Sequence, residues 1–295
     1  MEIQNQYINP NFRAGLTSAM RSEIRSVDAA KVSEALQKQG IQSDFKGNKM
    51  LAWCSLKSVE IINEINKRFG AKLGLPKGVF VEDLSQQSFL DKDSLGFINL
   101  VPTKKYGTND VTPEKTIFFN EFSEFNYQGG NHFWEKLNEC AEMMFETGNA
   151  TSDFFLEPVF HEFAHAMHES NLIKNLKPQK VLEFLFTIAK NENVQAFQER
   201  NGGILSRRIC NYAVTGPHEA VACDLTKRTI ANLDKELLVP NENFVAESPY
   251  QRRSFWDRHI GIKPESKLTV ILRDFWNGKI PEYFSRVDMK NIKLQ

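Results

Sequence analysis

Neither sign of charge predominates in this chain of 295 residues: Lys plus Arg and Asp plus Glu number 37 each. Without a basic field it has no ready grip on nucleic acid or on an anionic membrane. Cysteine is sparse and scattered. Cys54, Cys140, Cys210 and Cys223 form no C-x-x-C pair, so neither a zinc ribbon nor a disulfide framework is suggested, and a reducing compartment fits. Long apolar runs are missing too. Residues 1–20 are polar and rich in Asn and Gln. Neither a Sec-type signal peptide nor a transmembrane helix is expected there, which places the chain in the cytoplasm or on an export route that needs no apolar signal. There is no repeat and no low-complexity stretch. What remains is length enough for one large domain or two lobes, with ample core for stability.

Residues 1–25 read as an irregular polar arm. Apolar residues at helical spacing mark residues 28–39 and 56–69, where Val59, Ile62, Ile65 and Phe69 recur. Gly70 and Gly74-Leu75-Pro76 break the second helix. Three strand-like runs follow, at 78–81, 97–101 and 116–120. An amphipathic helix is expected over 133–145 and another from about Glu157. Beyond them the pattern is almost wholly helical, over 180–190, 193–198, 217–233 and 268–276. This order predicts an α+β protein: a small mixed sheet with helices, then a mainly helical C-terminal lobe. Residues 1–45 form an N-terminal arm and helix. Residues 46–295 form a single domain of two lobes, with a cleft near 158–224, and clefts between lobes are where ligands bind.

The helix expected at the junction carries His161-Glu162-Phe163-Ala164-His165. Histidines four apart on a helix stand on the same face, close enough to grip one metal ion, and the glutamate after the first can take a proton from a water there. Shuffling this composition gives such an H-E-x-x-H pattern in roughly one chain in a hundred, so the surroundings must decide. Thr151, Ser152 and Asp153 offer helix-start chemistry, and Pro158 suits a first turn. Leu156, Val159, Phe160, Phe163, Ala166 and Met167 make one apolar flank, leaving the histidines on the other, towards a cleft. The plainer alternative is a core helix with two satisfied histidines, but burying Glu162 beside that apolar run would be costly without a partner.

A catalytic zinc needs a third protein ligand. His168 returns to the same helix face but lies a turn further on, and Ala166-Met167-His168-Glu169 has no glycine to turn the chain back. Lining the cleft suits it better. Downstream, Gly216-Pro217 signals a helix start with Glu219 in its first turn, and the adjacent His218 is a second option. His132 and His259 have no spacing partner. Tyr212, seven residues before Glu219 and downstream of H-E-F-A-H-A, completes a pattern that resembles the glutamate-zincin (gluzincin) clan of metallopeptidases. Within that clan it is most similar to the anthrax-lethal-factor-like branch and its phage and bacterial relatives. The resemblance covers residues 158–224. It implies a zincin-like fold, zinc bound by His161, His165 and Glu219, Glu162 as general base, and Tyr212 donating to the oxyanion of the tetrahedral intermediate. On its own residues Tyr212 could equally be a capped core tyrosine. One position departs from the branch. The acid expected four residues after the third ligand is Cys223, and the nearest carboxylate, Asp224, falls about 100° further round the helix. Either Asp224 reaches in from a shifted angle or another group orients the ligand.

The implied activity is zinc-dependent hydrolysis of peptide bonds in a protein or peptide substrate. With no acidic G-x-M-E-N-type motif to hold an N-terminal amine, endopeptidase activity is expected. The 116–120 run is either an edge strand against which a peptide lies extended or an interior core strand. Two other readings stand beside the enzyme: a non-catalytic or self-processing zincin-fold module, such as a phage structural component, and an exported effector or toxin protease. Substrate choice and oligomeric state are set by loops and surfaces that motifs do not encode.

Overall fold

The computed structural model describes residues 16–69, 73–85, 95–99, 103–104, 111–123, 125–126, 131–173, 206, 209–215 and 217–241. Branched and aromatic residues at 78–82 and 116–120 form the two central strands of a four-stranded sheet. In chain order the strands are β1 (Gln42–Asp44), β2 (Gly78–Glu82), β3 (Gly96–Asn99), β4 (Thr103–Lys104), β5 (Val111–Thr112), β6 (Thr116–Asn120), β7 (Leu233–Asp234) and β8 (Val239–Pro240). The sheet order is β1-β2-β6-β3, with β4-β5 and β7-β8 as separate two-stranded pairs. β1, β2 and β6 run parallel, while β3 is antiparallel to β6, with Phe97 opposite Phe118 and Ile98 opposite Ile117. Phe80, Phe118 and Phe97 stack in a row across the strands, with ring centroids 6.0 and 5.1 Å apart, and this helps to pin the register. Val79, Val81, Ile117 and Phe119 point the other way, into the core.

The helices are α1 (Ser18–Ser26), α2 (Ala29–Gln37), α3 (Lys49–Phe69), α4 (Asn131–Glu146), α5 (Glu157–Ile173) and α6 (Pro217–Ala231). Asp28 caps α2 by accepting from the backbone N–H groups of Ala30 and Lys31. α3 lies at the centre, with Trp53 stacked on Phe155 at 5.9 Å just before α5. α5 packs on α3, on β3 and most extensively on α6. The molecule is therefore a mixed helix-and-sheet protein, as the α+β reading expects.

Several expectations are corrected. Residues 18–26 are helical rather than part of an irregular arm: Thr17 caps α1, and Leu16, Met20 and Ile24 bury one side of it. α3 begins at Lys49, seven residues earlier than periodicity suggests, because Met50, Leu51, Ala52, Trp53 and Cys54 are all buried and show no polar face. The Thr116–Asn120 strand is paired on both sides, so it is interior, and β3 is the edge beyond it among the described strands. β1 joins the sheet from residues 42–44, and Leu16, Met20, Ile24, Val32, Leu36 and Ile41 before it belong to the same core as the sheet. The helices expected at 180–190, 193–198 and 268–276 lie outside the described residues.

Candidate functional site

Helix α5 starts at Glu157, where the start signals place it. Leu156, Val159, Phe160, Phe163, Ala164, Ala166 and Met167 are all buried. Its other flank does not face an open cleft. His161 and His165 are only 8% and 5% exposed, because α6 lies across them. That covering helix delivers Glu219 from its first turn, after Pro217. One oxygen of Glu219, Oε2, lies 3.0 Å from His161 Nε2 and 3.2 Å from His165 Nε2. The two imidazoles meet edge to face, their centroids 4.7 Å apart.

The donor atoms of His161, His165 and Glu219 all lie within 4.8 Å of one another, a set able to hold a metal ion. A tetrahedral centre with metal–ligand bonds of about 2.0 Å spaces its ligand atoms roughly 3.3 Å apart. The two imidazole–carboxylate distances come close to that. The charge balance agrees. Burial works against a charged His161, but its hydrogen bond to Glu219 and the charges of Glu219, Glu162 and Glu157 outweigh it and raise its pKa to about 9. Carboxylates thus surround the histidines, and the cluster gathers positive charge.

Glu162 is half-buried. Burial raises its carboxyl above the usual range; the nearby His165 and His161 oppose this, and Glu219 adds to it. Tyr212 heads a 3-10 turn (Tyr212–Val214) and its ring stands edge-on to His161, with centroids 5.7 Å apart. It is 44% exposed, which removes the alternative of a buried core tyrosine. The turn is tied to the end of α4: Asn211 donates from Nδ2 to the Thr147 carbonyl at 2.9 Å, and its backbone N–H donates to the carbonyl of Gly148. Gly148 has φ +72°, and a Cβ there would sit 2.7 Å from Asn211 Nδ2, so only glycine lets the two approach.

No family model, curated protein or solved structure matches the chain. The site therefore stands on its own geometry.

On the outer side of His161, Nδ1 lies 3.9 Å from the Sγ of Cys223, the position where an acid was expected. Contact with Cys210 and burial hold the Cys223 thiol well above its ordinary pKa, so it is neutral. Asp224 is buried on α6, near Lys227. His168 and His218 belong to α5 and α6, but their side chains lie outside the description, and His259 lies outside it altogether. His132 is on α4, beside Glu135 at 3.8 Å. Sequence reasoning gave no role to Glu157, whose carboxylate is buried and takes both the N–H and the hydroxyl of Thr151 on Oε1, at 3.0 and 2.8 Å. Burial raises this carboxyl, against the charge of His161 and the two Thr151 bonds. Its signal was present: Glu157 stands four residues before His161, as His161 stands four before His165.

Proposed function

We propose that the chain is a zinc-dependent endopeptidase with a zincin-like fold, in which His161, His165 and Glu219 hold the metal. The observation that carries this reading is the convergence of two imidazole Nε2 atoms from α5 on a single carboxylate oxygen from α6. Two nitrogens and one oxygen are a zinc donor set that leaves a coordination position open. When bound, zinc would polarise the scissile carbonyl and make water a better nucleophile at neutral pH.

The remaining steps belong to the chain. Glu162, its carboxyl raised by burial, accepts the proton of the attacking water and delivers it to the leaving amine. Tyr212, exposed beside His161, donates its hydroxyl to the oxyanion. The peptide lies extended along β3, the sheet edge that packs against α5, where backbone pairing supplies affinity without regard to side chains.

Metal analysis together with Glu162→Gln tests the proposal. Purified protein should carry about one zinc per chain, and the variant should keep it while peptide cleavage falls at least a hundredfold. A wild-type chain that binds no zinc after metal loading would end this reading. Zinc bound without cleavage of any peptide library would favour a non-catalytic module instead.

A further inference from the structure

A histidine that holds a metal through Nε2 presents Nδ1–H on its far side, and a carboxylate or carbonyl there normally fixes the ring and raises its basicity. For His161 the group in reach is the Sγ of Cys223, at 3.9 Å, a neutral and weak acceptor. The contact can locate the ring but brings no charge. One turn earlier on α5, Glu157 stands on the same helix face as His161 and His165, with only 5% of its surface exposed. We infer that Glu157 is a positioning residue for the metal centre, its buried carboxylate supplying His161 with the negative charge that the Cys223 thiol does not. The inference rests on the reading of His161, His165 and Glu219 as metal ligands.

The plainer role for Glu157 is to hold the loop before α5 through Thr151. That role needs only an acceptor oxygen, since the backbone N–H and the hydroxyl of Thr151 both donate to Oε1. An amide at 157 would serve as well and would cost far less to bury than a carboxylate. The chain carries the costlier group. Among the described residues no lysine or arginine pairs with it, and the charged group acting on it is His161. A dication beyond that ring gives the buried charge its counterpart. The same reasoning explains why a thiol is suitable at 223. A carboxylate there would place a second buried negative charge beside the first, and like charges at close range disfavour one another.

The two acids should therefore be exchangeable. The test measures the Zn2+ dissociation constant of the full chain by competition with a chromophoric chelator. Wild type, Glu157→Gln and Glu157→Gln/Cys223→Asp are compared, with the thermal midpoint of each metal-free protein recorded alongside. Glu157→Gln should weaken zinc binding about tenfold or more with no fall in the metal-free midpoint, because the amide keeps both Thr151 bonds. Adding Cys223→Asp should bring the affinity back to within about threefold of wild type, the coupling expected of two groups acting on one ring. Unchanged affinity in Glu157→Gln overturns the inference and leaves the metal reading intact. So does a lost affinity that follows a fall in the metal-free midpoint, which would mark a loop-holding role, and so does a folded double variant that fails to recover. If the double variant does not fold, the single substitution decides alone. A wild-type chain that binds no zinc overturns the metal reading, and this inference with it.

Discussion

Tyr212 and Glu162 are the two residues to which the proposed function gives a part in proton transfer or oxyanion binding, yet their surroundings differ. Glu162 is half-buried, whereas Tyr212 lies on an exposed turn that Asn211 ties to the end of α4. A donor held in this way should act on the developing oxyanion more than on bound substrate. Tyr212→Phe is expected to lower kcat about a hundredfold while KM and zinc content stay near wild type, measurable by steady-state kinetics and metal analysis. An equal loss in KM alone would assign the ring to substrate binding. At this scale the sequence was most readable where one helix turn sets the geometry. His161, Glu162 and His165 follow from 3.6-residue spacing, while the helix-start signal offers both Glu219 and His218 and the gluzincin resemblance selects Glu219. The far side of His161 was not readable. Which group meets Nδ1 depends on how α6 is rotated on α5, and periodicity in neither helix records that rotation.

Among the elements, β3 depends most on a single residue. A Cβ on Gly96 would lie 2.5 Å from the backbone oxygen of Phe118, so the strand sits closer to β6 than any side chain allows. Gly96→Ala is expected to destabilise the protein by about 1–3 kcal/mol in denaturant unfolding. If β3 receives the peptide, KM should rise as well, with zinc content unchanged. Strands β2 and β6 were visible as apolar runs, and α5 as an apolar flank broken by histidines. The start of α3 was not, because a helix segment buried all round has no polar period to reveal it. α1 gave little signal because, within it, only Met20 and Ile24 are buried among mostly polar residues. The order β1-β2-β6-β3 comes from pairings between distant segments, which no local window holds.

At the scale of the whole molecule, the site ties α5 to α6 across 58 residues of chain, from His161 to Glu219. Its charge makes stability depend on pH in a way that the metal should reverse. In the metal-free protein, His161 titrates near 9, against an ordinary value of 6.5. The stability this proton contributes is complete below about pH 6.5 and is lost as pH rises through 9. Zinc binding instead strengthens as protons leave the ligands. Chelator-treated protein should therefore melt at progressively lower temperature from pH 6.5 to 9, while zinc-loaded protein should not. At free zinc a hundredfold above Kd the metal adds about 2.7 kcal/mol. A constant gap between the two melting curves over that range would argue against the ligand set. Among the described residues no helix is long and apolar enough to cross a membrane. The antiparallel run of β3 beside β6, in a sheet whose other three strands are parallel, has one further consequence. A peptide added to its outer edge in antiparallel fashion would travel in the same direction as β6, so a substrate bound there would be held with a fixed polarity. A peptide of reversed sequence would then present the wrong residues on each side of the cut.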